Sequence, residues 1–202
     1  MLILKKVAIT GGLACGKSSV CQILKNHGVA CVVNADEIVH QLLSTKTDLG
    51  HKIARLLGSD VIVNGQFDRK KIAEKVFSDP KKLLDFEKLL HPSTLEEINK
   101  RYMQASKSES VPLFVVEIPL LYEIQAEDYY DSVITVVSDE NIASQRFMKN
   151  TSYGKEEYER RMSRQLPISI KAKRADYIVE NNGDLENLKN SVIKLIPSLV
   201  SI

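Results

Sequence analysis

The residues with the clearest capacity for chemistry form a glycine-rich stretch near the start of the chain. Gly11, four further residues and then Gly16-Lys17-Ser18 make the pattern G-x-x-x-x-G-K-[ST]. An apolar run at residues 7–9 precedes the pattern, and residues 17–26 follow it with the spacing of an amphipathic helix. This context predicts a phosphate-binding loop rather than a glycine-rich turn that carries a surface lysine. The predicted loop consists of Gly11, Gly12, Leu13, Ala14, Cys15, Gly16, Lys17, Ser18 and Ser19.

Each residue type in this loop has a physical role. Glycines let successive backbone N–H groups converge on an anion, and the following helix presents the positive end of its dipole. Lys17 is expected to reach the β- and γ-phosphates, and the Ser18 hydroxyl to bind Mg²⁺. The dinucleotide fingerprint G-x-G-x-x-G is absent, because Leu13 occupies the place of its second glycine.

Length and composition set the broad class. The chain has 202 residues, of which 44% are hydrophobic and 27% charged, as expected of one α/β domain with an insertion or of two small domains. No apolar run approaches the roughly 20 residues of a membrane span, and Lys5 and Lys6 interrupt the start, so neither a span nor a signal peptide is expected. Three cysteines without a C-x-x-C pair predict a reduced, cytoplasmic protein.

Predicted strands and helices alternate at both ends of the chain. Strands are expected at residues 3–9, 29–33, 113–118, 132–137 and 177–179, and helices at 17–26, 37–43, 140–150, 156–165 and 184–195. This order predicts an α/β fold, a three-layer sandwich around a five-stranded parallel sheet. Residues 48–106 are mostly helical, with helices 68–77 and 80–90, a break at His91-Pro92 and a helix capped by Ser93-Thr94. We interpret this block as an inserted substrate-side subdomain, because a plain crossover needs fewer residues.

Charge is concentrated in one segment. Residues 146–174 hold nine Lys and Arg against three Glu, while the whole chain has a net charge of +2. A helical lid that closes over bound phosphates would use this charge. A solvated basic surface and a nucleic-acid patch are the alternatives, and the few aromatic residues make the latter weaker.

A carboxylate follows the second predicted strand. Asp36 is expected at the same rim of the sheet as Lys17, where it would accept the proton of an attacking hydroxyl, although a helix N-cap is an equal alternative. The N-K-x-D motif that is typical of GTPases is absent. Glu117 lies at the end of an apolar strand, a position that is compatible with magnesium coordination but not diagnostic of it. Loop, carboxylate and basic lid together favour a small-molecule kinase.

At this point the sequence resembles the dephospho-coenzyme A kinase family, and the resemblance covers essentially the whole chain. The ordered set of motifs is more specific than the phosphate loop, which many families share. The motifs are the loop itself, Val33-Asn34-Ala35-Asp36, Leu89-Leu90-His91-Pro92, Ile118-Pro119-Leu120-Leu121-Tyr122-Glu123, Gln165-Leu166-Pro167 and Arg174-Ala175-Asp176-Tyr177-Ile178-Val179-Glu180-Asn181-Asn182-Gly183.

The resemblance implies transfer of the ATP γ-phosphate to the ribose 3′-hydroxyl of dephospho-coenzyme A, the last step of coenzyme A synthesis, with Mg²⁺. It implies a nucleotide core at about 1–36, 107–139 and 175–202, a coenzyme A-side helical subdomain at about 37–106 and a lid at about 140–174. Small-molecule substrates are expected, without nucleic acid or membrane partners, and the protein is expected to be a monomer or a weak homo-oligomer.

The resemblance also assigns roles to individual residues. Asp36 would be the base or the orienting carboxylate. The other assigned residues are Arg69 and His91 on the acceptor side and Arg146 and Arg161 in the lid. Without the family, His91 would be interpreted as a helix-end residue and Arg69 as part of a surface helix start.

Two departures from the family pattern stand out. Asn34 replaces the first aspartate of a common Asp-Ala-Asp, which leaves Asp36 as the candidate base. Lys149 and Asn150 stand where a second lid arginine is usual, so either the helix is shorter or Lys149 substitutes as a point charge. Another small-molecule kinase, acting on a nucleotide or a shikimate-like alcohol, and a non-catalytic nucleotide switch or nucleic-acid-binding protein are the competing functions.

Overall fold

The computed structural model describes residues 4–108 and 110–201, with the side chain of Ser108 left aside. Within these residues the strands and helices follow one another along the chain as a mixed α/β pattern. In chain order they are β1 (Lys5–Gly11), α1 (Lys17–Asn26), β2 (Ala30–Asn34), α2 (Ala35–Leu42), α3 (Asp48–Leu57), β3 (Ile62–Val63), β4 (Gln66–Phe67), α4 (Arg69–Phe77), α5 (Pro80–Ser108), β5 (Leu113–Glu117), β6 (Ser132–Val137), α6 (Glu140–Asn150), α7 (Lys155–Met162), α8 (Ile168–Arg174), β7 (Tyr177–Glu180) and α9 (Leu185–Val200).

Five strands form one parallel sheet in the order β2-β5-β1-β6-β7. The centre of β1 is fully buried at Val7, Ala8 and Ile9, as expected of a parallel strand covered on both faces. The predicted five-stranded parallel sheet is therefore confirmed, although Ile3, the predicted start of β1, lies outside the described residues. Because all five strands run in one direction, Gly11, Asn34 and Glu117 end at the same edge of the sheet.

Residues 35–101 form one compact unit, and the rest of the described chain forms another. The core of the larger unit packs α1 and α9 against the sheet through Val20, Leu24, Leu188 and Val192. The smaller unit has a helical core of its own, made of Ile53, Leu57, Val61, Ile72, Val76, Phe86 and Leu90. In the described part of the chain, no helix combines the length and the apolar character that a membrane crossing needs.

The predicted break at His91-Pro92 is wrong, because α5 continues through Pro92. A proline inside a helix costs roughly 3 kcal/mol. The buried side chains of Phe86, Leu90 and Ile98 lie on the same helix, and each contributes about 1.5–3 kcal/mol when removed from water. Packing therefore outweighs the proline, and Thr94, predicted to cap a new helix, instead donates from Oγ1 to the Leu90 carbonyl at 2.8 Å.

Two short elements also differ from the sequence prediction. Asn64 and Gly65 form the turn of a hairpin between the two-residue strands β3 and β4, in a block predicted to be mostly helical. The basic segment contains a third helix, α8, that the pattern did not reveal, and α7 ends at Met162 rather than at Gln165.

Candidate active site

The loop between β1 and α1 has the backbone that its glycines predict. Gly11 has φ +142° and Gly16 has φ +100°. Gly16 is the N-cap residue of α1, and it provides no side-chain cap to the N-terminus of that helix. The first N–H groups of α1 therefore face the loop, where a bound anion would satisfy them. A Cβ at Gly11 would lie 2.2 Å from the backbone oxygen of Val136, so the backbone itself excludes any larger residue there.

Gly11→Ala is expected to lower the free energy of unfolding by roughly 2–5 kcal/mol, the sum of left-handed strain and overpacking. Gly28→Ala is the matched control, because Gly28 also has a positive φ (+71°) but no heavy atom within 4 Å of the added Cβ. The Gly28→Ala variant should lose only about 1–2 kcal/mol of its free energy of unfolding. Urea unfolding followed by circular dichroism measures both values, and equal losses would show that the contact with Val136 does not matter.

Lys17 and Cys15 are held inside the loop. Lys17 is 8% exposed, and its Nζ donates to the carbonyl of Gly12 at 2.7 Å and to that of Gly11 at 3.3 Å. Burial raises the pKa of the Cys15 thiol, which packs as a small apolar side chain in the core next to the sheet. The carbonyl of Cys15 accepts a 2.8 Å hydrogen bond from Nδ2 of Asn181, so the loop is braced from a second side.

A carboxylate joins the loop to β2. Ser18 Oγ donates to Oε1 of Glu117 at 2.8 Å, and Asn34 Nδ2 donates to Oε2 of the same carboxylate at 3.1 Å. A hydroxyl and a carboxylate are hard oxygen ligands of the kind Mg²⁺ prefers. Among the described residues no group of three or more His, Cys, Asp or Glu side chains could hold a metal ion. Ser18 and Glu117 fit a Mg²⁺ ion that takes its remaining ligands from phosphates and water.

A cavity of about 520 Å³ opens beside the loop. Lys17, Ser18 and Glu117 line it, and so do Arg146 and Lys149 of α6. Helix α6 continues to Asn150, and Lys149 lies at the same cavity as Arg146. The size and the positive lining suit the phosphates of a nucleotide.

Arg146 is held in place by the turn after β7. Its guanidinium donates to the carbonyl of Asn181 at 2.8 Å and to that of Gly183 at 3.1 Å. The buried Asn181 amide therefore links Arg146 to the phosphate loop through Cys15. The sequence placed Asn181 in a family motif but gave it no role of its own, and no local signal distinguishes it from its neighbour Asn182.

Asn181→Ala is expected to raise KM for ATP about tenfold, because it removes a buried hydrogen bond to the loop and leaves the Cys15 carbonyl unsatisfied. Steady-state kinetics with varied ATP measures the change. Asn190→Ala is the matched control, because Asn190 is exposed on α9. A KM for ATP that stays at the wild-type value would contradict the bracing role.

Arg161, the second arginine of the predicted lid, contacts residues of α6, α7 and the segment between them. Its Nε donates to Oε1 of Glu157 at 2.7 Å, and its guanidinium lies over the rings of Phe147 and Tyr153 at 5.6 and 5.0 Å. Hydrogen bonds from Arg160 and Arg161 lower the pKa of Glu157 to about 2. The ion pair between Glu157 and Arg161 therefore persists until the pH falls towards that value. Part of the positive charge of the segment is therefore neutralised locally.

Helices α6 and α7 pack against the phosphate loop. Phe147 of α6 and Tyr158 of α7 form a buried cluster against which Leu13, Ala14 and Met162 pack. The backbone N–H of Leu13 lies 3.4 Å from Sδ of Met162. The end of α7 thus covers one side of the loop.

The acceptor-side candidates lie in the unit formed by residues 35–101. Asp36 is exposed and is the second residue of α2, so it is not an N-cap. Arg69 is exposed as the first residue of α4, beside a cavity of about 750 Å³ that Lys46 and Lys70 also line. His91 lies inside α5 rather than at a helix end, and burial lowers its pKa.

The central parallel sheet, the glycine loop that opens into a helix and the buried lysine together define a P-loop α/β nucleotide-binding protein.

Comparison with known proteins identifies the family. The dephospho-CoA kinase family model matches residues 5–187. A dephospho-CoA kinase of Protochlamydia amoebophila is 46% identical over 200 residues, 98% of each chain, and one of Chlamydia pneumoniae is 44% identical over 192 residues, 95% of each chain. The chain therefore belongs to the dephospho-CoA kinase family and is an enzyme of the kinase class.

Solved structures agree with this assignment. A protein called TT1252 from Thermus thermophilus superposes with a TM-score of 0.82 at 28% identity, over 98% of this chain and 100% of its own. A dephospho-CoA kinase from Campylobacter jejuni superposes with a TM-score of 0.71 at 26% identity, over 96% of both chains. A shikimate kinase from Bacteroides thetaiotaomicron, at 12% identity and a TM-score of 0.54 over 96% of this chain and 98% of its own, shares the fold.

Proposed function

We propose that this chain transfers the γ-phosphoryl group of ATP to the ribose 3′-hydroxyl of dephospho-coenzyme A. The observation that carries the proposal is the buried Lys17 in its glycine loop, with Ser18, Glu117 and Arg146 around one cavity, in a member of the dephospho-CoA kinase family. Phosphoryl transfer depends mainly on positioning and charge neutralisation, and these residues supply both.

The loop binds the phosphates. Backbone N–H groups at the start of α1 donate to phosphate oxygens, and Lys17 exchanges its bonds to the Gly11 and Gly12 carbonyls for bonds to the β- and γ-phosphates. This exchange keeps the ammonium satisfied with and without nucleotide. Arg146 adds a second positive charge on the α6 side of the cavity.

Ser18 and Glu117 would hold the Mg²⁺ ion, which when bound neutralises charge on the phosphate oxygens. The Ser18 hydroxyl donates a hydrogen bond to Glu117, so its oxygen lone pairs remain available for a cation. Asn34 donates to the other oxygen of Glu117 and so orients the carboxylate.

We assign the acceptor side to residues 37–106 and the lid to residues 140–174. Asp36 receives the proton of the attacking 3′-hydroxyl, and Arg69 and His91 bind the acceptor. Because burial lowers the pKa of His91, its imidazole is neutral at physiological pH and acts as a hydrogen-bonding group. Arg161 is engaged with Glu157, so its side chain must exchange Glu157 for the transferring phosphoryl group when nucleotide binds.

We further propose that the protein is cytoplasmic, is a monomer or a weak homo-oligomer, and has no nucleic-acid or membrane partner. Cys15 and Cys21 are buried free thiols, as in a reducing compartment. Pairing of Arg160 and Arg161 with Glu157 and of Arg174 with Glu127 leaves less basic surface for a nucleic acid than the sequence suggests. Light scattering of the purified protein tests the oligomeric state.

Product analysis tests the activity. The protein is incubated with ATP, Mg²⁺ and one acceptor at a time: dephospho-coenzyme A, a nucleoside monophosphate or shikimate. Mass spectrometry should detect coenzyme A in the first reaction, phosphorylated at the 3′-oxygen, and no phosphoryl transfer in the others. Transfer to another acceptor in preference to dephospho-coenzyme A would refute the proposed substrate, and transfer to none would refute the kinase reaction.

A further inference from the structure

Among the described residues of the larger unit, Lys171 of α8 carries a fully buried charge. Its side chain is 0% exposed. The Nζ atom lies 2.8 Å from Oε1 of Glu123, 2.9 Å from the carbonyl of Pro119 and 3.1 Å from Oε1 of Gln165. Burial lowers the pKa of Lys171, and the bond to Glu123 opposes that shift. The phosphoryl-transfer roles assigned above make no use of this ammonium.

The partners of Lys171 come from two separate segments. Pro119 and Glu123 belong to the loop after β5, whereas Gln165 belongs to residues 163–167, here called the lid return segment, which connects α7 to α8. The same Glu123 oxygen also accepts a 2.8 Å hydrogen bond from the backbone N–H of Leu166. The ion pair therefore ties the lid return segment to the core loop at two points.

The lid return segment directly follows the residue that covers the phosphate loop. Met162, the last residue of α7, lies with Sδ 3.4 Å from the Leu13 N–H, and its Cε would be 3.6 Å from a Cβ on Gly12. On the other side, the Pro119 carbonyl that Lys171 binds also accepts from Oγ1 of Thr10, the residue before the loop. One short network thus connects the end of the lid with the strand that enters the loop.

We propose that Lys171 is a positioning residue: through Glu123 and Gln165 it holds the end of α7 on the phosphate loop and so limits access of water to the transferring phosphoryl group. The catalytic part of this inference rests on the proposed kinase function. A buried ion pair is a poor source of stability, because desolvation consumes much of the attraction, but it imposes a specific geometry that an apolar pair would not.

The test variant is Lys171→Met combined with Glu123→Gln. Removing Lys171 alone would leave the Glu123 charge buried and would confound the result with unfolding. Gln at position 123 keeps a carbonyl oxygen for the Leu166 N–H, so the double variant removes the two charges and little volume. Lys173→Met is the matched control, because Lys173 is exposed two residues further along α8.

Hydrogen exchange of the full chain without nucleotide is the first measurement. Peptides that cover residues 160–167 should exchange about tenfold faster in the double variant, roughly the effect of one lost buried hydrogen bond, while peptides from β1 and β6 keep their protection. Unchanged exchange at 160–167, or an equal increase in all peptides, would overturn the proposal. This measurement remains informative even if the proposed substrate is wrong.

The second measurement is the ratio of ATP hydrolysed to coenzyme A formed. A purely structural defect lowers both rates together, whereas a displaced lid admits water and should raise the ratio about tenfold. The Lys173→Met control should keep the wild-type ratio. A wild-type ratio in the double variant would also overturn the proposal.

Discussion

Lys17→Met is expected to lower kcat/KM for phosphoryl transfer by roughly 100- to 1,000-fold, the usual effect of removing one group that stabilises charge in the transition state. Methionine keeps the length and apolar stem of the side chain but cannot donate to the β- and γ-phosphates. Since Lys17 is 8% exposed and contacts mainly loop carbonyls, the variant should still fold. A coupled assay that follows ADP measures the loss.

The control for this prediction is Lys25→Met, an exposed lysine on the same helix. It should keep wild-type kcat/KM, and circular dichroism should show the same secondary structure in both variants. Wild-type activity in Lys17→Met would exclude the loop as the phosphate site.

Asp36→Asn is expected to lower kcat by roughly 100- to 10,000-fold, the range of general acid–base catalysis. Asparagine is almost isosteric with aspartate but cannot take up the proton of the acceptor hydroxyl. The Kd for ATP should change little, because the proposed phosphate contacts come from the loop and from Arg146. Isothermal titration calorimetry gives the Kd, and product formation under saturating substrates gives kcat.

Glu37→Gln is the matched control, because Glu37 is the next residue of α2 and is also exposed. It should retain kcat. An Asp36→Asn enzyme with wild-type kcat would show that Asp36 does not accept the proton, and a non-catalytic nucleotide switch would be indifferent to either change.

Local signals in the sequence were sufficient for the framework of the protein. The glycine pattern and its flanking runs predicted the loop, and α1 begins and ends at the predicted residues, Lys17 and Asn26. Apolar runs predicted the five parallel strands, most clearly β5, which is buried at every residue as expected of a strand covered on both faces. The ordered motifs then predicted the family, which the comparisons confirm.

Local signals failed where packing competes with them. His91-Pro92 has the propensity to end a helix, but the side chains that α5 buries outweigh that propensity. The same limitation hid α8, because its short sequence is rich in basic residues and one of its lysines, Lys171, is buried by distant partners.

The sequence by itself determined the chemistry that the loop offers and the elements that carry it, since both depend on residues a few positions apart. Only the tertiary structure decided which distant side chains meet there. The order β2-β5-β1-β6-β7 brings Glu117 to Ser18, 99 residues away, and the turn after β7 brings Asn181 to Cys15, 166 residues away. Such contacts follow from the pairing of whole strands, whose register is set by the combined burial of many side chains, and no local spacing encodes them.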